Sequence, residues 1–179
     1  KTKIDLKFEK LKALMEVEKI TFKNIKEILK SLSTIKVHIV GDTIIDTNHK
    51  CDVIGGLHKT PTLSIAKNQS TDYLGGAAIV ASHFKSFTKD VTLTTVLNND
   101  QKGKFAKSEI NKLRIKLNQI TENGRTTTNK NSYYVDKHKL LKVDEVNNSS
   151  IIGSSIEKIS SLLKREKNKL IICSDFRHG

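Results

Sequence analysis

Three polar clusters carry the side chains best suited to chemistry, and each follows an apolar run. They are Gly41-Asp42-Thr43-Ile44-Ile45-Asp46, Asn98-Asn99-Asp100 and Ser174-Asp175-Phe176-Arg177-His178-Gly179. In open α/β sheets, ligands bind beyond the carboxyl ends of the strands, where such clusters would fall. A carboxylate there can accept bonds from two hydroxyls of a polyol, and its charge strengthens both. Asp42 follows a glycine, and a Gly-Asp turn needs no ligand, so a turn or capping role stands beside a binding role. Asp46 follows two apolar residues, Ile44 and Ile45, and fits a turn less well.

Gly75-Gly76-Ala77-Ala78 is a fourth feature. Small residues at a helix start let a ligand or a strand approach the backbone, and the free N–H groups favour anions or hydroxyls. Close packing alone would also explain the pair. No Gly-Lys-Ser/Thr follows, which excludes a phosphate P-loop, and a third glycine is missing, which excludes the dinucleotide fingerprint. Cys51 and Cys173 have no metal-ligand spacing and fit a reducing cytoplasm.

The elements that must position these residues are read from periodicity. Residues 7 to 32 form two amphipathic helical pieces, with Thr21 as the cap of the second, and are expected to pack by one face. Ile35 to Val40 is a buried strand feeding a loop. Thr62 to Ala66 is a second strand. Gly75-Gly76 opens a helix with Ala78, Ala81, Phe84 and Phe87 along one side. Val91 to Leu97 is a strand, and Lys102 to Leu113 a helix. Ser132 to Val135 and Lys139 to Val143 pair around Asp136-Lys137-His138. Ile151 to Lys164 is helical, and Leu170 to Cys173 is a final buried strand. Alternating strands and helices from Ile35 onward predict an α/β fold with a mainly parallel sheet. The pieces at 62–66 and 132–143 break the alternation and are expected to form a separate small sheet, a lid over one end.

The formal charge is +13, yet the 32 basic residues are spread along the chain and only four are Arg. No basic run is interleaved with aromatics, so a solvated lysine surface is preferred over a nucleic-acid interface. No stretch approaches the roughly 20 apolar residues of a membrane span. The chain begins at Lys1 and ends at Gly179 just after an apolar run, so both ends are expected to lie inside a longer protein.

Taken together the motifs resemble the amino-terminal half of the ribokinase-like (PfkB) carbohydrate kinases. The order is a strand ending in Gly41-Asp42-x-x-x-Asp46, then Thr60-Pro61-Thr62, then Leu74-Gly75-Gly76-Ala77-Ala78. Within that family the chain is most similar to the heptose 7-phosphate kinases. Their Gly-Gly-Ala-Ala-Asn-Val-Ala corresponds to residues 75–81 here. Their Thr-Thr-x-Lys and Leu-Leu-Arg-x-Asp correspond to Thr127-Thr128-Asn129-Lys130 and Leu140-Leu141-Lys142-Val143-Asp144. Their Ser-Asp-Tyr-x-Lys-Gly corresponds to residues 174–179.

The resemblance covers residues 35 to 179. It implies a three-layer Rossmann-like ribokinase fold with a small β lid, incomplete in this chain, with lid pieces near 45–73 and 125–144. It implies transfer of the γ-phosphoryl of ATP, with Mg²⁺, to a sugar hydroxyl. Asp46, Gly75, Gly76, Ala77 and Lys130 then fall at substrate-binding positions, with Lys130 placed to meet a substrate phosphate. Asp42, Asp144 and Asp175 are further candidates, and no metal ligand is assigned. The family's Gly-Ala-Gly-Asp motif, which holds the general base, is absent, so no catalytic residue is expected here. Ile79, Ser132 and His178 depart from the heptose-kinase pattern at an Asn, an Arg and a Lys. Residues 1–34 lie outside the match and resemble the helical linker that joins some of these kinases to a nucleotidyltransferase. A homodimer through the lid is a further implication.

Overall fold

The computed structural model describes residues 3–56, 62–165 and 170–178. Thr60 and Pro61 of the Thr-Pro-Thr motif, and Gly179 of the last motif, lie outside the described residues.

The first sheet is entirely parallel. It comprises β1 (Val37–Gly41), β4 (Val91–Val96), β5 (Lys116–Ile120) and β8 (Leu170–Ser174), in the order β5-β4-β1-β8. The β-branched runs of β1 and β4 suit central strands. Val37, Ile39, Val91 and Leu93 turn to one face and meet Ala77, Ala78 and Ala81 of α3 (Gly76–Lys85). Alanines on that helix face let it lie close to the strands. Leu97 and, from α4 (Gln101–Lys112), Ala106 and Ile110 extend the same core. The opposite face is more polar. His38 is fully buried there, with Nε2 2.7 Å from Thr94 Oγ1. α5 (Gly153–Arg165) stands over this face. A cavity of about 260 Å³ remains between them, lined by Val40, Thr94, Val96, Ile156, Ile159 and Cys173 among others. Helix, sheet and helix thus make three layers.

The second sheet is mixed. β2 (Thr43–Gly56) and β3 (Leu63–Gly75) form an antiparallel hairpin, β6 (Asn129–Val135) adds parallel to β2, and β7 (His138–Glu145) closes the order β3-β2-β6-β7. This sheet falls on the lid pieces implied near 45–73 and 125–144, and its strands run longer than the periodicity alone indicates. The stretch after Gly41 is not a loop: β2 starts at Thr43, and Asp46 lies on a strand. The strand read at 62–66 continues to Gly75, and β5 was not foreseen. β2 alternates by burial from Ile45 to Cys51 with polar residues on both faces, and β3 and β5 do not alternate regularly, so hydropathy carries no period of two in any of them.

Two further expectations change. Leu170 to Cys173 is not a buried strand: β8 is an edge strand of the sheet, with Leu170 and Ile171 nearly half exposed. The helical pieces exist as α1 (Lys3–Val17) and α2 (Phe22–Leu32), but α2 buries no residue, and Phe8, Leu11, Phe22, Ile25 and Leu29 are exposed. The expected packing by one face is therefore not seen. Thr21 does cap α2, in a reciprocal box. Its hydroxyl accepts from Asn24 N at 3.1 Å, and its own N–H donates to Asn24 Oδ1 at 3.0 Å.

Candidate functional site

The two sheets meet where β1 passes into β2 and β3 passes into α3. Gly76 opens α3 with φ +55°, a left-handed backbone that favours glycine. A Cβ at Gly76 would overlap the Asp42 carbonyl, and one at Gly75 would overlap the Asp46 carboxylate. Close approach and the left-handed backbone thus require glycine at 76, while at 75 a side chain would displace the Asp46 carboxylate. Ala77 N donates to the Asp42 carbonyl at 2.8 Å, which ties the helix start to the end of β1.

The lid register gathers three of the candidates. Asp46 pairs with Tyr73 on one side and with Lys130 on the other, and Lys130 pairs with Asp144. Directly paired residues share a face, so Tyr73, Asp46, Lys130 and Asp144 form one row across all four strands. Asp46 and Tyr73 are exposed and Lys130 is half-buried. Acid, base and acid thus alternate beside the start of α3. Asp144 also lies 3.5 Å from Lys142 Nζ. The row can accept hydroxyl protons at Asp46 and offer an ammonium to an anion at Lys130.

Asp42 and Asp175 form a second group. The Asp42 carboxylate accepts from Phe176 N at 2.8 Å and His178 N at 3.3 Å. Asp175 Oδ1 accepts from Arg177 N at 2.7 Å. Both carboxylates brace the loop after β8, so the structure gives Asp42 a turn-holding role. Of the departures from the family pattern, Ile79 lines a shallow cleft of about 250 Å³ with Tyr73, Leu74 and Phe105, and Ser132 is buried two residues beyond Lys130.

Two charged centres were missed by sequence reading. Glu122 and Arg125 form a buried ion pair of 2.8 Å. Arg125 also donates to the carbonyls of Asn147, Ser149 and His178, while Glu122 Oε1 accepts from Ile152 N at 2.9 Å. The pair clamps the loops leaving β5, β7 and β8. Burial alone would raise the Glu122 carboxyl, but hydrogen bonds from Ser155, Ile152 N and Arg125, with the Arg125 charge, outweigh it and hold the group low. The i,i+3 spacing was the one available signal, and outside a helix it is weak. The second centre is Lys102, whose Nζ lies 2.6 Å from Asp72 Oδ1 and 2.9 Å from Thr47 Oγ1. These partners are 30 and 55 residues away, beyond any local pattern. Among the described residues no group of three or more His, Cys, Asp or Glu could hold a metal ion, and no helix is long and apolar enough to cross a membrane.

Comparison with known proteins agrees with this fold. No family model matches the chain. The Bifunctional protein HldE of Campylobacter jejuni subsp. doylei is 31% identical over 146 residues, which cover 80% of this chain and 30% of that protein. A putative phosphofructokinase from Staphylococcus aureus superposes with TM-score 0.61 at 13% identity, over 76% of this chain and 42% of the other. Phosphofructokinase-2 from Escherichia coli, in complex with fructose-6-phosphate, gives TM-score 0.58 at 10% identity, over 79% and 45%. The chain spans about 30% of the length of the curated relatives it matches. In sequence and in fold it resembles the ribokinase-like (PfkB) carbohydrate kinases, and its two sheets are a partial ribokinase-like fold with the lid.

Proposed function

We propose that this chain is the sugar-holding part of an ATP-dependent carbohydrate kinase. Its substrate is a sugar or sugar phosphate, with heptose 7-phosphate, phosphorylated at the anomeric hydroxyl, the favoured candidate. The observation that carries the reading is the Asp46 carboxylate against Gly75, in one row with Lys130, at the start of α3. Asp46 holds two hydroxyls, the backbone at Gly75, Gly76 and Ala77 lines the ring, and Lys130 meets the substrate phosphate. Asp144 orients Lys130 from the next strand.

ATP supplies the phosphoryl group and Mg²⁺ neutralises it. In this reading the general base and most of the nucleotide site lie in sequence outside this chain. A cytoplasmic location fits such chemistry. The exposed Val53, Leu141 and Val143 on the lid support pairing of two lids in a homodimer. A second reading, a non-catalytic sugar-binding module of the same fold, is favoured by Ile79, an apolar residue at a position of polar contact. A further variant, a kinase joined to a nucleotidyltransferase through residues 1–34, draws support from the relatives' bifunctional names.

The test is Asp46→Asn in the full-length protein, which keeps size and removes charge. Charged hydrogen bonds contribute about 1.5–3 kcal/mol each, so sugar affinity or turnover should fall roughly ten- to a hundredfold. The melting temperature should stay near wild type, because a charge held for a ligand contributes little to the empty fold. Unchanged affinity with a lower melting temperature would remove Asp46 from the site.

A further inference from the structure

The lid face opposite Asp46 carries a chain of polar side chains that the proposed site does not use. Thr47, Asn129 and Asn131 are buried on it. His49, stacked at 4.4 Å on Tyr133, lies 2.8 Å from both Ser70 Oγ and Asn131 Oδ1. Asn131 Nδ2 continues the chain to Glu145 Oε1 at 2.9 Å. Thr47 Oγ1 sits 2.6 Å from Asp72 Oδ1 and 2.7 Å from Asn129 Oδ1, and its one proton serves one of them at a time. Lys102, from the first turn of α4, supplies the missing donors to Asp72 and Thr47.

α4 is a firm base for such a reach. Ala106 and Ile110 are fully buried in the core, and a Cβ at Gly103 would overlap the Asn98 carbonyl. Its N-cap, Asp100, accepts from Gly103 N at 2.8 Å and also from Thr127 N at 2.7 Å, just before β6. The start of α4 therefore grips the lid at β2, β3 and the entry to β6. Thr47 neighbours Asp46 in the chain and points to the other face, so a shift of one moves the other. Burial works to raise the Asp72 carboxyl, but the bonds from Lys102 and Thr47 and the Lys102 charge overcome it and hold the group ionised.

We propose that Lys102 is a positioning residue, which through Asp72 and Thr47 fixes the angle of the lid over the start of α3 and thereby the place of Asp46. The part concerning Asp46 rests on the sugar-site reading above, while the strap itself does not. Amide hydrogen exchange on the purified protein tests the strap directly. Lys102→Met keeps the stem and removes the ammonium. Amides of Thr47–Lys50 and Gln69–Asp72 should exchange at least about tenfold faster, with those of β1 and β4 unchanged. Lys102→Arg should restore near-native rates. Asp72→Asn should loosen the same amides, and it decides the matter should Lys102→Met fail to fold. Titration with heptose 7-phosphate forms the second arm, with several-fold weaker binding expected in Lys102→Met and recovery in Lys102→Arg. Lid exchange that is unchanged, or that rises equally in β1 and β4, overturns the strap. A faster lid with undiminished affinity overturns its link to Asp46. A wild-type protein that binds no probe sinks the sugar-site reading alone, and the exchange arm still decides the strap.

Discussion

The two sheets are built on opposite principles. In the parallel sheet, the central strands β1 and β4 bury aliphatic side chains against α3, and Ile39 and Leu93 have no exposed surface. In the lid, the most buried face presents Thr47, His49, Asn129 and Asn131 beside Ile45 and Cys51, and hydrogen bonds link its polar side chains. Apolar burial is non-directional, so the first sheet tolerates small displacements of its side chains without losing its driving force. A hydrogen-bonded face is directional, and each unsatisfied group costs about 1–3 kcal/mol. The body is thereby stable in bulk, while the orientation of the lid hangs on a few polar ties. Such a division suits a lid that must take up one particular angle over a ligand.

The largest effect is expected where the two regions are clamped together. Arg125→Ala leaves Glu122 buried and unpaired, and breaking a buried pair from one side costs about 3–5 kcal/mol. Urea unfolding followed by circular dichroism measures it. The pH dependence has a definite sign. The folded Glu122 carboxyl lies below its ordinary range, so its contribution is complete above about pH 4.3, the usual value for Glu. That contribution is lost as the pH falls through the folded value. Asp72 and Asp100 are also held low, by the Lys102 and Thr47 bonds and by the amides of Thr127 and Gly103, each against burial, and they titrate in the same direction. Glu122→Gln should flatten part of this acid-side loss. An unaltered acid profile would remove Glu122 from the clamp.

The next effect separates the two regions. Leu93→Ala opens a cavity in the apolar core and should cost about 2–5 kcal/mol. Leu140→Ala, on the lid at 42% exposure, should stay within about 0.5 kcal/mol. Equal losses at both positions would mean that the lid carries an apolar core of its own.

The same contrast explains what was legible in the sequence. β1, β4 and α3 could be read because β-branched runs and alanine spacing record burial directly. The lid was legible as an interruption of the alternation, and as motifs resembling a family, but its strands were drawn too short. Only β2, from Ile45 to Cys51, alternates in burial, and there polar residues occupy both faces, while β3, β6 and β7 show no regular alternation. Among the candidates, Asp46 is legible as a carboxylate after two apolar residues, Lys130 and Asp144 only through motif matches, and only the strand register joins the three into one row. Lys102 and Asp72 leave no local mark, because their partnership crosses between elements, and Glu122 and Arg125 leave only an i,i+3 spacing that is weak in a loop.

The smallest effect concerns α2, the element that touches least. Thr21 and Asn24 cap each other reciprocally, so both the sequence signal and the geometry are local. Replacing a capping Thr by Ala costs about 0.5–2 kcal/mol of helix stability. α2 buries no residue, so this loss has no packed neighbour through which to reach the sheets. Thr21→Ala should therefore reduce helicity and speed amide exchange within Phe22–Leu32, while the urea midpoint of the sheets stays unchanged. The prediction separates a helix that stands by its own caps from one held by the body. Should the sheets lose stability together with α2, the helix packs on the body in solution. The exposed Phe22, Ile25 and Leu29 would then be the residues that make the contact.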